Sequence, residues 1–197
     1  MRKVFSVFLV AILFLVVSFT PKPTKKIVID LGHGGHDKGV VVNGISEKEV
    51  VLSLATKLRE LAEESGIALR FTRSSDSFVT LEERIDFINK ENPDVMLSLH
   101  VNSSDNEVEK GFEMYLPKDA NRYTASHSKA EQLGKALAKH GDVKPIKTAN
   151  FYLLKNTSCP ALFLEMGFLT NEADRNFLTS DYGRTVLAQS ILEALND

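Results

Sequence analysis

The sequence alternates largely apolar runs of strand length with segments that keep the spacing of an amphipathic helix. Three such runs lie at residues 26–31, 94–99 and 161–164. Polar residues do not recur at every second position in these runs, which indicates strands that are buried on both faces. Such strands with helices between them predict an α/β fold, a mostly parallel twisted sheet with helices on both faces. The 197 residues suit a single domain of this kind.

Capping signals set the expected helix boundaries. Ser46 and Thr80 each stand three residues before a glutamate, which is the pattern of a capping box. The first helix is expected to end at Gly66 and the second near Asn92, because Pro93 cannot continue a helix. The other expected elements are strands at residues 67–72 and 111–116, a helix around residues 128–140, an extended piece at residues 150–154, and a final helix at residues 181–195 capped by Asp181.

The first 25 residues have the composition of an export segment. Arg2 and Lys3 precede sixteen residues, 4–19, in which nothing is more polar than serine. This run is shorter than the about 20 residues of a spanning helix, yet no Ala-x-Ala cleavage site follows it. Residues 1–25 are therefore expected to be either a signal peptide or an N-terminal membrane anchor with a short linker. Residues 26–197 are expected to function after export, in the periplasm or cell envelope. If residues 1–25 are retained, they would anchor the protein in the inner membrane.

Charge and cysteine content exclude two classes of protein. The chain has 24 basic and 26 acidic side chains, a net charge of -2 and a pI near 6.2. A protein that binds nucleic acid through a basic surface would have the opposite balance, so no nucleic-acid partner is expected. The single cysteine, Cys159, cannot form a disulfide framework. Its position before Pro160, at the start of an apolar run, favours a packing role.

Residues 32–45 contain five glycines and no helical period, which predicts a loop. The glycines do not match phosphate-binding motifs. Asp37 stands at the third glycine position of a dinucleotide-binding pattern, and Val40 and Val41 stand at the Lys and Ser/Thr positions of a P-loop. The sequence also lacks the Gly-x-Ser-x-Gly motif of many serine hydrolases.

Two histidines and two glutamates follow the carboxyl ends of predicted strands. His33 lies two residues after the first strand, His100 closes the third, Glu165 closes the last, and Glu47 begins a helix that starts at the same edge. Functional groups of open α/β sheets gather at this edge. Two His and one Glu as ligands, with a second Glu as base, match a catalytic zinc site. The long separations between these residues exclude the helical His-Glu-x-x-His arrangement.

His33 and Glu47 each also have a structural explanation when considered alone. A histidine in a glycine loop can brace the loop, and a glutamate at the start of a helix interacts favourably with the helix dipole. His36 is the second choice to His33 as a ligand. The charge of Glu165 directly after an apolar run favours a functional role, because core strands rarely contain a carboxylate.

Several segments together resemble zinc-dependent N-acetylmuramoyl-L-alanine amidases. Residues 29–39, with Ser46, Glu47 and Lys48, resemble the opening of that family. The middle of the family is matched by Thr72, Arg73, Asp76, residues 81–84 and Asn89. Its last two motifs are matched by residues 98–102 and residues 164–171. The resemblance covers nearly everything from Lys26 onward, in the order of the family.

The resemblance implies a function and a role for each site residue. His33, Glu47 and His100 would bind Zn²⁺, and Glu165 would be the catalytic carboxylate. The reaction would be hydrolysis of the amide between N-acetylmuramic acid and L-alanine in peptidoglycan, for cell-wall remodelling. A zinc peptidase that cuts within the stem peptide, or a non-catalytic wall-binding regulator, remains an alternative.

Other residues and segments of the resemblance carry secondary expectations. Arg73, Arg84 and Asn89 match family positions and are assigned to the supporting structure. Some relatives have a long inhibitory insert between the second His and the final Glu, but here residues 101–164 are used by one strand, one helix and short connections. The site is therefore expected to be uncovered, so that a monomer works without an activator. A purified domain that is silent until a partner is added would refute this expectation.

Overall fold

The computed structural model describes residues 25–65 and 67–196. The predicted export segment and the predicted helix end at Gly66 lie outside the described residues. Among the residues that are described, no helix combines the length and apolar character needed to cross a membrane.

A six-stranded sheet forms the centre of the molecule. Its strands are β1 (Lys26–Leu31), β4 (Ala68–Phe71), β5 (Val95–Asn102), β6 (Glu113–Pro117), β7 (Lys147–Ala149) and β8 (Ala161–Phe168). Their order across the sheet is β4-β1-β5-β8-β6-β7. Every neighbouring pair is parallel except β6 with β8. The predicted mostly parallel sheet is therefore confirmed.

Helices cover both faces of the sheet, as predicted. They are α1 (Glu47–Ser65), α2 (Leu81–Glu91), α3 (Ala120–Leu137), α4 (Tyr152–Asn156), α5 (Glu172–Thr179) and α6 (Asp181–Asn196). Alternate residues of a strand pack on opposite faces. In β1, Ile27, Ile29 and Leu31 join the core formed with α1, α3 and α6, whereas Val28 joins a smaller cluster with α2 and α4.

Cys159 belongs to the smaller of these two core clusters. Its thiol is buried and forms no disulfide, and burial raises the pKa of the thiol to about 11. A thiol in this environment stays protonated and unreactive. The packing role predicted for Cys159 is confirmed.

Between β6 and β8, the predicted helix is present but begins earlier than expected, and the predicted extended piece was wrong. The helix expected around residues 128–140 is α3, which begins at Ala120, where the Asp119 side chain accepts hydrogen bonds from two backbone N–H groups. The first turns of α3 are mostly polar and show no helical spacing of apolar residues, which is why the start of the helix was predicted too late. The extended piece expected at residues 150–154 is instead interrupted by α4, whose turn is closed by the Thr157 hydroxyl donating to the carbonyl of Leu153. A short apolar run does not distinguish a helical turn from a strand.

The helices that follow β8 also differ from the prediction. An additional helix, α5, follows β8 and is capped by the Asn171 side chain. Asp181 is the first residue of α6 rather than its cap, because the hydroxyl of Ser180 accepts the hydrogen bond from the Gly183 N–H at 2.9 Å. The second capping box, between Thr80 and Glu83, is present as predicted.

The glycine loop before α1 contains a small antiparallel ribbon, although a loop without strands was predicted there. Its strands are β2 (Val41–Val42) and β3 (Ile45–Ser46). They are joined by Asn43 and Gly44, which have positive φ angles of 52° and 80°. Asn-Gly is the preferred dipeptide for such a turn, since it accepts two left-handed residues in succession. The ribbon leads directly into Glu47.

A buried ion pair connects β1 to α2 beneath the carboxyl edge of the sheet. Arg84 Nη1 donates to Asp30 Oδ1 at 2.8 Å, and the Ser98 hydroxyl donates to Asp30 Oδ2 at 2.7 Å. Burial opposes the charged form of Asp30, but Arg84 and Ser98 outweigh it and lower the pKa of this carboxyl. Thr72 donates a further hydrogen bond to Asp30 Oδ1. The carboxylate is therefore satisfied on both oxygens.

Arg84→Met tests this ion pair, because it leaves the Asp30 carboxylate buried without its cation. We expect the free energy of unfolding, measured by urea denaturation, to fall by about 3–5 kcal/mol. Arg70→Met is the control, since the Arg70 side chain is 59% exposed. Its change should stay within about 0.5 kcal/mol. Similar small losses in both variants would contradict the role given to Arg84.

Candidate active site

Three polar side chains form a row across one face of the sheet. Glu165 on β8 lies in register with His100 on β5 and with Glu113 on β6. Residues that are directly opposite each other in neighbouring strands point to the same face. The strands continue to Asn102 and Phe168, so His100 and Glu165 lie inside strands rather than at their last residues. The sequence identified the correct edge of the sheet but ended both strands too early.

Glu47 reaches this row from the start of α1. Its carboxylate is buried and accepts hydrogen bonds from the backbone N–H groups of Val40 and Val101, both at 3.0 Å. The same carboxylate lies 3.1 Å from His33 Nε2 and 2.9 Å from His100 Nδ1. These contacts fix one glutamate between two imidazoles.

His33 occupies a strained turn directly after β1. Its φ is 57°, in the left-handed region that few residues other than glycine adopt. Arg84 Nη2 donates to the carbonyl of His33 at 2.7 Å, and Arg73 Nη2 donates to that of Gly32 at 3.0 Å. The imidazole itself is oriented by Asp37, whose carboxylate lies 2.9 Å from Nδ1. The two buried arginines therefore support the backbone that presents His33, as predicted.

Asn89 has a separate supporting role on the other side of α2. Its amide donates to the carbonyl of Asn156, and its oxygen accepts from the backbone N–H of Ser158. These hydrogen bonds connect α2 to the chain that leads from α4 into β8. This agrees with the structural role predicted for Asn89.

His33, Glu47 and His100 form a cluster that fits a metal ion. One donor atom from each residue lies within 4.8 Å of the others. Two imidazoles and one carboxylate are a ligand set of catalytic zinc sites, and the contact between Asp37 and the second nitrogen of His33 is the usual outer-shell support. His36, the second choice as a ligand, is exposed, lies outside this cluster, and packs against Phe78 with ring centroids 4.1 Å apart.

The charges within the cluster stabilise one another. Burial disfavours the charged form of His33, but hydrogen bonds and charges of Glu47 and Asp37 outweigh burial and raise the pKa of His33 to about 9. Burial likewise disfavours the charged form of Glu47, whose pKa is nevertheless lowered by the hydrogen bonds of His100 and His33. A cation bound between these groups would replace the proton in stabilising the Glu47 carboxylate.

Glu165 is the second carboxylate beside the cluster, and it has a different environment. Within the described part of the chain, its Oε2 is buried and has no hydrogen-bond partner. Burial, followed by the charges of Glu47 and Glu113, raises the pKa of Glu165 to about 8. A carboxyl group with a pKa near neutrality can both accept and donate a proton, as general acid–base catalysis requires. The two glutamates therefore suit different roles.

The family of the chain follows from a comparison with known proteins. A family profile described as N-acetylmuramoyl-L-alanine amidase matches residues 27–197, nearly the whole of the described chain. The chain belongs to this amidase family.

Individual members of the amidase family align over most of this chain. It is 34% identical over 175 residues to N-acetylmuramoyl-L-alanine amidase LytC of Bacillus subtilis, which covers 87% of this chain and 35% of LytC. It is 37% identical over 155 residues to the sporulation-specific N-acetylmuramoyl-L-alanine amidase of the same organism, which covers 78% of this chain and 60% of that relative. The chain thus spans less than two thirds of the length of these two relatives.

The fold of this amidase-family chain is also that of a solved structure. It is similar to the catalytic domain of CwlV, an N-acetylmuramoyl-L-alanine amidase from Bacillus (Paenibacillus) polymyxa var. colistinus, with a TM-score of 0.80 and 29% identity. The match covers 87% of this chain and 96% of that domain. The described fold therefore matches nearly all of that catalytic domain.

Glu113 borders the site in this amidase-family chain and was not predicted as a site residue. Asn102 Nδ2, the Tyr115 hydroxyl and Lys147 Nζ donate hydrogen bonds to its buried carboxylate at 2.9–3.1 Å. Burial disfavours the charged form of Glu113, but the hydrogen bonds from Lys147 and Tyr115 and the charges of Lys147 and Lys144 outweigh it and lower the pKa of Glu113. The sequence does indicate this residue, because Glu113 is a carboxylate between the apolar residues Phe112 and Met114. Glu165 was singled out for the same reason.

Gly39 lets the loop approach the cluster closely. A Cβ at this position would lie 2.4 Å from Glu47 Oε2 and 2.7 Å from His33 Cδ2, and the φ of Gly39 is 62°. Gly44 has a similar φ of 80°, but a Cβ there would have nothing within 4 Å. Both glycines therefore need a positive φ angle, but only at Gly39 would a side chain collide with site residues.

Gly39→Ala and Gly44→Ala separate these two effects. We expect Gly44→Ala to lower the free energy of unfolding by about 1–2 kcal/mol, the cost of a side chain in the left-handed region. Gly39→Ala should cost more, because its methyl group also displaces Glu47 and His33. Urea denaturation measures both losses, and the imidazole NMR signals of His33 should shift only in Gly39→Ala. Equal losses with unchanged signals would contradict the close approach.

Proposed function

We propose that the chain is a zinc-dependent N-acetylmuramoyl-L-alanine amidase that cleaves the amide between N-acetylmuramic acid and L-alanine in peptidoglycan. One observation carries the proposal: a His-Glu-His cluster lies beside a buried glutamate whose Oε2 has no partner among the described residues. The membership of the amidase family supports the choice of substrate. Cleavage of this bond releases stem peptides from glycan, which suits cell-wall remodelling.

In this proposal, His33, Glu47 and His100 hold the zinc ion. The donor set fits zinc, and Asp37 and the backbone N–H groups of Val40 and Val101 hold two of the ligands in position. When it is bound, zinc supplies Lewis-acid polarisation of a carbonyl group and acidifies a water molecule. The imidazoles must be neutral to act as ligands, so metal binding releases protons from His33.

Glu165 carries the proton transfers. Its carboxylate takes a proton from the water that attacks the carbonyl of the lactyl group, and it returns this proton to the nitrogen of the departing L-alanine. Burial keeps the pKa of Glu165 at about 8, so both protonation states are accessible near neutral pH. The hydrogen-bonded Glu113 stays ionised beside it and disfavours a second negative charge at Glu165.

The site can be reached from solvent in the described structure. His33, Gly39, Glu47, His100 and Glu165 line a depression of about 380 Å³. We infer that a monomer of this protein needs no activator to expose the site. Because peptidoglycan lies outside the cytoplasmic membrane, residues 1–25 would direct export to the cell envelope, either as a signal peptide or as a membrane anchor.

Amino-terminal labelling of peptidoglycan fragments tests the reaction. The purified protein is incubated with peptidoglycan, with and without a chelator, and without any added partner protein. We expect new amino-terminal alanine that chelation abolishes and zinc restores. New termini on another residue would identify a peptidase of the stem peptide, and binding without release would identify a wall-binding protein; either outcome would overturn the proposal.

Two variants separate the role of Glu165 from that of His100. Glu165→Gln should lower kcat by about 10²–10⁴-fold or more and keep stoichiometric zinc, since it removes the proton acceptor and no ligand. His100→Ala should lose the zinc itself. His127→Ala, on α3, is the control for both readouts. Zinc content is measured by elemental analysis. Near-full activity of Glu165→Gln would contradict its role as proton acceptor, and stoichiometric zinc in His100→Ala would contradict its role as ligand.

A further inference from the structure

An apolar cleft of about 440 Å³ opens beside the metal-ligand cluster. It lies between the residues that precede α2 and the residues of α4. Its walls are mostly large apolar side chains, namely Phe78, Leu81, Phe151, Tyr152 and Phe163. The volume lies within the range of pockets that bind small molecules. The cleft thus has room for one compact group of a substrate.

The aromatic wall of the cleft continues directly from the cluster. The ring of His100 stacks on Phe163 with centroids 4.3 Å apart and an interplanar angle of 14°. Phe151 packs against Phe163 at 4.6 Å. Phe151 is nevertheless 38% exposed, and Phe78 on the opposite side is 45% exposed. Aromatic side chains that are left partly exposed around a concave surface mark a binding site.

The polar residues at the bottom of the cleft are already satisfied. Asp30, Ser98 and Arg84 contribute to the lining, but they hydrogen-bond to one another and to backbone carbonyls. A charged ligand would find no unpaired partner among them. The cleft therefore favours a neutral group that offers an apolar face.

The position of Glu165 determines which half of the substrate the cleft can receive. His33 and His100 line both the cleft and the neighbouring depression, whereas Glu165 lines only the depression. In the proposed reaction, Glu165 protonates the departing nitrogen, so the peptide half of the substrate lies on the side of Glu165. The acyl half extends from the scissile carbonyl in the other direction, past the two histidines and toward the cleft.

We propose that this cleft is the subsite for the sugar ring of the muramoyl residue, with its N-acetyl group. This inference rests on the proposed function and names the part of the substrate that the cleft binds. A pyranose ring is neutral and has a face of C–H bonds, whose weakly positive hydrogens pack favourably against the negative face of an aromatic ring. Phe151, which lines the cleft and is 38% exposed, provides that aromatic surface.

Binding is tested first, with a probe that contains no peptide. The chain has no tryptophan, so Phe151→Trp introduces a single indole into the cleft, and Tyr182→Trp places one on the exposed surface of α6 as a control. We expect a peptide-free disaccharide of N-acetylglucosamine and N-acetylmuramic acid to change the fluorescence of the full-length Phe151→Trp protein in a saturable way. The Tyr182→Trp protein should show no change. A response from neither variant, or from both, would overturn the subsite.

Kinetics then test the contribution of the aromatic wall. Phe151→Ala should lower kcat/KM for a muramoyl-peptide by about tenfold, and much less for a lactyl-peptide that lacks the sugar. Phe151→Trp should restore most of this selectivity, whereas Tyr182→Ala should leave it unchanged. Equal losses on the two substrates would overturn the proposal. If the unaltered protein cleaves neither substrate, the proposed function fails, while the fluorescence experiment still decides whether the cleft binds the sugar.

Discussion

Arg84 is buried against the carboxyl end of β1, where it neutralises Asp30 and donates to the carbonyls of Leu31 and His33. This one guanidinium connects α2 to the strand and to the strained turn that follows it. A buried guanidinium needs nearly all of its donors satisfied, and the backbone carbonyls of Leu31, His33 and Val79 accept from Arg84 in addition to Asp30. The position of His33, and with it one end of the site, therefore depends on this contact. The same residue also forms part of the lining of the apolar cleft.

The second constraint is the register of three strands. It places Glu165 between His100 and Glu113 on one face of the sheet. Two carboxylates directly opposite each other disfavour folding when both are charged. The structure reduces this cost unequally, because Glu113 has three hydrogen-bond donors and Glu165 Oε2 has none in the described chain. Proteins retain unfavourable local arrangements mainly where function requires them.

Much of the site was predictable from the sequence because two signals are local. Glu165 is a carboxylate in an apolar run, and His33 is the one imidazole placed two residues after a buried strand. The roles of Asp37 and Glu113 were not predicted. No sequence pattern places the Asp37 carboxylate at His33 Nδ1, because that contact depends on the conformation of the turn. Glu113 belongs to the site only because strand register places it opposite Glu165 on β8. The short helix α4 was also missed, since five residues are too few to show a helical period.

The sequence by itself determined the class of fold and the edge of the sheet at which the candidate site residues lie. Burial on both faces of a strand, and the caps that start helices, are properties of neighbouring residues, so they can be deduced without coordinates. Only the tertiary structure decided that Glu47 lies between the two imidazoles and that an aromatic cleft opens beside the two histidines. It also decided that, among the described residues, Glu165 Oε2 lacks a partner while Glu113 has several. Those facts depend on strand register and on contacts between residues as far apart as Glu47 and His100, 53 positions, which no local pattern specifies.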